Sequence, residues 1–302
     1  MNLNRRQFTK AAAAAGLFTI GNPLPLQGIQ GSYKSDTNAR LKLSLNAYSF
    51  NKPLLDGSMT IDDLLDFCAG KGFDGVDITG YYFKGYPVVP SDEYIYHIKQ
   101  KAFRLCLDLG CTGVRNDFTW SDPAKRAEEK KLVKDWVVVA SKLGAKALRI
   151  FAGNLSKEKF SWDERAEWIA ADIIECAEFA KNYGVMIALQ NHNDFLKTPS
   201  DVEKILKLIN HRWVGLMLDT GSYHTEDPYR DIERTVKYAI TWQMKEKIFF
   251  GESQVDTDYN RLIGIVKRGG YTGYLPLETL GEGDPYAKVE ALLEKVQKAL
   301  SA

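Results

Sequence analysis

From Leu41 onward the chain alternates between two kinds of stretch. Short runs of Val, Ile, Leu and aromatic residues, each about the length of a strand, are followed by longer segments with apolar positions at helical spacing. The runs are LKLSLNAYSF (41–50), FDGVDITG (73–80), CTGVRNDF (111–118), AKALRIFAG (145–153), VMIALQNH (185–192), VGLMLDTG (214–221), AITWQMKE (239–246) and GYLPLETL (273–280). Between and after them the pattern predicts helices over 60–72, 91–109, 123–143, 162–183, 199–210, 227–239, 258–269 and 285–300. Thr60, followed by Asp62 and Asp63, reads as a helix cap with acidic residues in the first turn. Eight strand and helix pairs make the α/β count of a single (β/α)8 TIM barrel, expected over residues 41–302. A doubly wound open sheet shares the alternation, but it brings a glycine-rich phosphate loop after the first strand, and NAYSFNKP (46–53) has none.

In a parallel barrel the C-terminal strand ends gather at one rim, which is where active sites sit. The last four runs end in side chains able to hold a metal: Gln190 and His192, Asp219, Gln243 and Glu246, and Glu278. Oxygen donors from four separate strands therefore converge.

Composition narrows the ligand. Forty basic against 39 acidic residues leave a formal charge of +1 with no long run of one sign, so neither nucleic acid nor an anionic membrane finds an electrostatic footprint. A small, mostly neutral molecule fits better. Asn4-Arg5-Arg6-Gln7-Phe8-Thr9-Lys10 and the apolar run Ala11 to Gly21 read as a twin-arginine-type export signal, assigned to 1–30, with a polar linker over 31–40. The expected location is the periplasm. The apolar run is too short to span a bilayer, and no membrane anchor is expected after signal removal. Cys68, Cys106, Cys111 and Cys176 follow no ligand spacing and read as buried reduced thiols. A homo-oligomer is among the expected partners, and the sequence leaves that state open.

VMIALQNH, VGLMLDTGSYH, ITWQMKE and GYTGYLPLET together resemble the sugar phosphate isomerase/epimerase family, xylose isomerase-like TIM barrels that include ketose 3-epimerases and inosose dehydratases. The resemblance implies a divalent metal held by a Glu after strand five, an Asp after strand six, a His after strand seven and a Glu after strand eight. By position these are Gln190, Asp219, Gln243 and Glu278, so two of the four depart from the pattern. Glutamine still offers a carbonyl oxygen, and an all-oxygen set favours Mn²⁺ or Mg²⁺, with Ca²⁺ or Co²⁺ as further candidates. The alternative is that the metal is lost and the glutamines bind substrate hydroxyls directly.

The same departure bears on mechanism. The family's epimerases use two glutamates on opposite faces of the sugar, and Gln190 has no proton to exchange. Glu278 remains as a base, with Glu246, Lys245 and His192 as the next catalytic candidates. Tyr48, Asp77, Asn116, Arg149, His224 and Trp242, near strand ends or in the loops behind them, are expected to contact substrate. The expected activity is metal-assisted proton abstraction on an unphosphorylated keto sugar or 3-keto-glycoside, as lyase/hydratase or isomerase. The alternatives are a 3-epimerase using Glu278 and Glu246, and a sugar-binding barrel without catalysis. An endonuclease IV-type barrel needs a histidine-rich zinc cluster and a basic groove, which four histidines and a charge of +1 do not supply.

Overall fold

The computed structural model describes residues 40–154 and 159–302; the expected export signal and all of the linker but Arg40 lie outside them. Eight parallel strands close into a barrel: β1 (Leu41–Asn46), β2 (Gly75–Thr79), β3 (Asp108–Gly113), β4 (Ala147–Phe151), β5 (Met186–Gln190), β6 (Val214–Asp219), β7 (Ala239–Lys245) and, last in the chain, β10 (Gly273–Glu278). β10 pairs with both β1 and β7, which closes the ring. Two further strands, β8 (Lys247–Phe250) and β9 (Ser253–Asp256), form an antiparallel hairpin outside the barrel.

Helices follow the strands because their starts are written locally. Thr60 with Asp63, Ser161 with Glu164 and Thr198 with Asp201 each form a reciprocal capping box. The helix expected over 91–109 instead ends at Arg104, since Cys106 takes a left-handed φ of +55° and the chain enters β3 at Asp108. The third strand therefore lies earlier than the run at 111–118, and Asn116 sits in the loop beyond it.

Strand alternation divides the apolar residues into two clusters. The larger one fills the layer between strands and helices and includes Leu148, Ile150, Leu189, Leu218, Trp242 and Met244. The smaller one, Cys111, Ala147, Ala188 and Met217, plugs the barrel interior. Two places further along the same strand faces stand Arg149, Gln190 and Asp219, which with Gln243 on β7 and Glu278 on β10 are buried and polar. The barrel thus has an apolar floor and a polar mouth. Among the described residues no helix is long and apolar enough to cross a membrane.

Candidate active site

Gln190, Asp219, Gln243 and Glu278 meet at the mouth, each at most 6% exposed. Gln190 Nε2 donates to Asp219 Oδ2 at 2.7 Å and to Gln243 Oε1 at 2.5 Å. Gln243 Nε2 donates to Glu278 Oε2. An ionised carboxylate only accepts, so Asp219 and Glu278 fix both amides with nitrogen toward the acids. The oxygen left over, Gln190 Oε1, is buried without a partner.

Lys245 occupies the centre of this group. Two residues after Gln243 on β7, it shares that residue's strand face, and register sets it beside Glu278 on β10. Its ammonium pairs with Glu278 Oε1 and stands 3.5 Å from Asp219 Oδ2. The backbone is held on both sides: Lys245 N–H donates to Thr220 Oγ1 at 2.9 Å, and Lys245 C=O accepts from Thr257 Oγ1 at 2.9 Å and from Tyr259 Oη at 2.8 Å. Gly221 makes room for the stem, because a Cβ there would stand 2.8 Å from Lys245 Cγ. Burial pulls the ammonium toward neutrality, but the charges of Asp219 and Glu278 and their hydrogen bonds more than reverse this and raise its pKa. Burial also pushes Glu278 above the ordinary carboxylate value, against the pull of Lys245. Lys245 is therefore an ammonium, not an amine free to form an imine.

A cleft of about 240 Å³ opens over these groups, lined by Tyr48, Asn116, Arg149, Gln190, His192, Gln243, Lys245 and Glu278 among others. That is small beside the roughly 300 to 1,000 Å³ of ordinary ligand pockets, and it suits one small ring. A second cleft of about 400 Å³ shares His192, Lys245 and Leu280 with the first, and Phe249 and Gln254 of the β8–β9 hairpin form part of its wall. Arg149 is held by its bond to Val114 O at 2.6 Å and lies over the Phe151 ring. Gly113 admits it, since a Cβ there would stand 3.0 Å from Arg149 Nε. Asn116 is locked to the Phe151 backbone through both ends of its amide. His192 Nδ1 meets Asp194 Oδ2 at 3.1 Å, which orients the ring at the cleft wall. Arg115, Asn154 and Asp194 also line the first cleft and are absent from the expectations above. They come from loops, and only Arg115 and Asp194 carried a signal, as charged neighbours of Asn116 and His192.

Four expected contacts are placed elsewhere. Trp242 alternates with Gln243 and so points into the helix layer, fully buried against Tyr271. Glu246, just beyond the end of β7, pairs with Lys288 at 2.9 Å and accepts from Leu280 N–H, which ties the loop after β10. Glu246 lines only the second cleft. His224 stacks on Phe249 at 3.9 Å and lines neither cleft.

Asp77 lies deeper in the barrel, where Oδ1 accepts from Cys111 N–H at 3.0 Å and Oδ2 has no partner. Burial pushes its pKa from 3.8 up to about 8, with the Cys111 bond pulling the other way. Because the folded carboxyl keeps its proton to higher pH than the unfolded one, the stability it contributes is full below about pH 4 and is lost as the pH rises through about 8. Asp77→Asn should therefore outlast the parent increasingly with pH, by roughly 1.4 kcal/mol per pH unit across that window. Urea unfolding at pH 5 and pH 8 measures this. An advantage that does not grow between the two would refute it.

The expected metal donors are thus gathered, yet their arrangement does not fit a divalent ion. Two amide nitrogens and an ammonium, none able to ligate, face the two carboxylates. Among the described residues no group of three or more His, Cys, Asp or Glu side chains could hold a metal.

A family model described as xylose isomerase-like TIM barrel matches residues 65–300. No curated protein matches the sequence. Among solved structures, D-psicose 3-epimerase with D-tagatose from Clostridium cellulolyticum H10 superposes with a TM-score of 0.72 at 17% identity, covering 86% of this chain and 99% of that one. For 3-keto-D-glucoside 4-epimerase from E. coli the TM-score is 0.69 at 13% identity, over 86% of this chain and 100% of that one. The IolI protein with a binding zinc atom gives 0.68 at 17% identity, over 85% and 96%. At these identities the likeness is one of fold.

Proposed function

Since the chain belongs to the xylose isomerase-like TIM barrel family, we propose that it is an enzyme that removes the proton beside the carbonyl of an unphosphorylated keto sugar or 3-keto-glycoside, as a lyase/hydratase or isomerase. One observation carries this reading: Glu278, a buried carboxylate with its proton affinity raised by burial, faces a cleft of about 240 Å³ in which the facing strand-end residue is an amide. Glu278 takes the carbon-bound proton. Gln190 holds none to return from the other face, and Glu246 is engaged with Lys288 and the Leu280 N–H. The arrangement therefore speaks against two-base epimerisation. His192, oriented by Asp194, stands where it can protonate a departing hydroxide at the neighbouring carbon.

The second cleft supports the glycoside branch of the proposal. It continues from the first past Lys245 and offers the Phe249 ring and Gln254 to a group attached to the reacting sugar. A 3-keto-D-glucoside also gives the E. coli 4-epimerase its name. Export by the twin-arginine route belongs to the same proposal, and it favours an unphosphorylated substrate. A sugar-binding barrel without catalysis is the competing reading.

Proton NMR in D₂O, with 3-keto-glucosides, inososes, glucose and common ketoses as a panel, separates the two. Loss of the signal from the proton beside the carbonyl is expected for at least one keto sugar, and the product spectrum then distinguishes dehydration from isomerisation. Binding of a keto sugar without any exchange would sink the enzymatic reading.

A further inference from the structure

We infer that the Lys245 ammonium is the resident cation of this site, standing where a divalent metal would otherwise be held, and that the chain excludes such a metal by its own residues. The charge balance is the first support. The metal site implied by the resemblance sets three carboxylates against a divalent ion, a net charge of one negative. Here Gln190 removes one carboxylate and Lys245 supplies one positive charge between Asp219 and Glu278, again leaving one negative. Losing an acid and exchanging a double charge for a single one are matched changes.

The second support is that the surroundings are shaped to Lys245. Gly221 leaves space for its stem at a distance no β-carbon tolerates, and Thr220, Thr257 and Tyr259 hold its peptide group from both sides. A lysine merely swung into an open site has no need of such a cradle. The amides of Gln190 and Gln243 add to the exclusion, because as oriented they present N–H groups and not oxygens to Asp219 and Glu278.

An ammonium carries three donors. Two are directed to Glu278 and Asp219, and the side chain also borders both clefts, so the third is available to a ligand oxygen. As Glu278 takes the proton beside the carbonyl, the C–H electron pair moves into the new carbon–carbon double bond and the carbonyl pair moves onto oxygen. Lys245 donates a hydrogen bond to that oxygen as its charge develops. This catalytic role rests on the proton-abstraction reading; the occupancy of the site by the ammonium does not.

The test measures Mn²⁺ directly, by electron paramagnetic resonance titration and by the shift of the thermal unfolding midpoint with added Mn²⁺. The full chain is expected to bind none at the site and to unfold at the same temperature with Mn²⁺ or with a chelator. Lys245→Ala, in which the Gln190 and Gln243 amides are free to turn their oxygens toward an ion, should bind one Mn²⁺ at least about 100-fold more tightly than the parent and unfold later as the ion is added, since a ligand of the folded state stabilises it by mass action. Lys245→Ala combined with Gln190→Glu and Gln243→His restores a full donor set and should bind tighter still, which keeps the test open if the single variant does not fold. Stoichiometric binding of Mn²⁺ by the parent, with an affinity that Lys245→Ala leaves unchanged, would overturn the inference. If no sugar exchanges a proton but the parent still rejects Mn²⁺, the functional proposal fails and this one stands.

Discussion

Glu278→Gln is expected to slow exchange of the proton beside the carbonyl by roughly 10²- to 10⁴-fold, the range that loss of a positioned general base produces. The substitution keeps the shape of the side chain while removing its capacity to hold a proton. It also places an amide opposite the Lys245 ammonium and the Gln243 amide, both of which give hydrogen bonds to this carboxylate in the parent. Some stability is lost with the rate, and unfolding measured on the same sample separates the two. The informative comparison is sugar affinity. A true base leaves binding of the keto sugar largely in place while exchange collapses, so a variant that keeps the parent's exchange rate would remove Glu278 from the mechanism.

Gly221→Ala tests the position of Lys245 without touching a charged group. A methyl at this site would come within 2.8 Å of Lys245 Cγ and 3.3 Å of Lys247 O, so either the lysine stem or the backbone beyond it must move. Overpacking of this kind costs about 1 to 3 kcal/mol of stability. A displacement on the order of 1 Å at a catalytic group costs about 100-fold in rate. In a background carrying Lys245→Ala the 2.8 Å contact with Cγ is gone and only the 3.3 Å contacts with the β-carbon and Lys247 O remain, so the two substitutions should fall short of additive. Full additivity in that cycle would mean that Gly221 acts through something other than Lys245.

Much of this architecture is legible in the sequence because strands and helices repeat on their own periods. Seven of the eight barrel strands lie within the runs read for them, the third beginning three residues earlier, and the capped starts at Thr60, Ser161 and Thr198 lie where local chemistry puts them. The β8–β9 hairpin is not visible in the same way. Its strands are four residues each, parted by Gly251 and Glu252, too short for an alternating pattern to stand out.

At the site, convergence of the four strand ends follows from barrel topology, and the same alternation that brings Gln243 inward also brings Lys245 inward and turns Trp242 away. Applied over Trp242 to Lys245, past the irregularity at Ile240, that rule would have sorted Trp242, Gln243 and Lys245. The remaining lining residues, such as Asn154 and Asp194, depend on loop conformation, which no periodicity encodes. The burial of Asp77 likewise depends on how deep along β2 the polar mouth gives way to the apolar floor, and one strand read alone does not carry that depth.

The lysine between Asp219 and Glu278 has a consequence for how the protein is supplied. A charge built into the polypeptide is installed at translation, one per molecule, whatever ions surround the chain. No acquisition step precedes competence, and no abundant wrong ion can displace the right one. Its cost lies elsewhere: the strength of this cation is set once by the covalent structure, and it cannot be tuned by exchanging one metal for another.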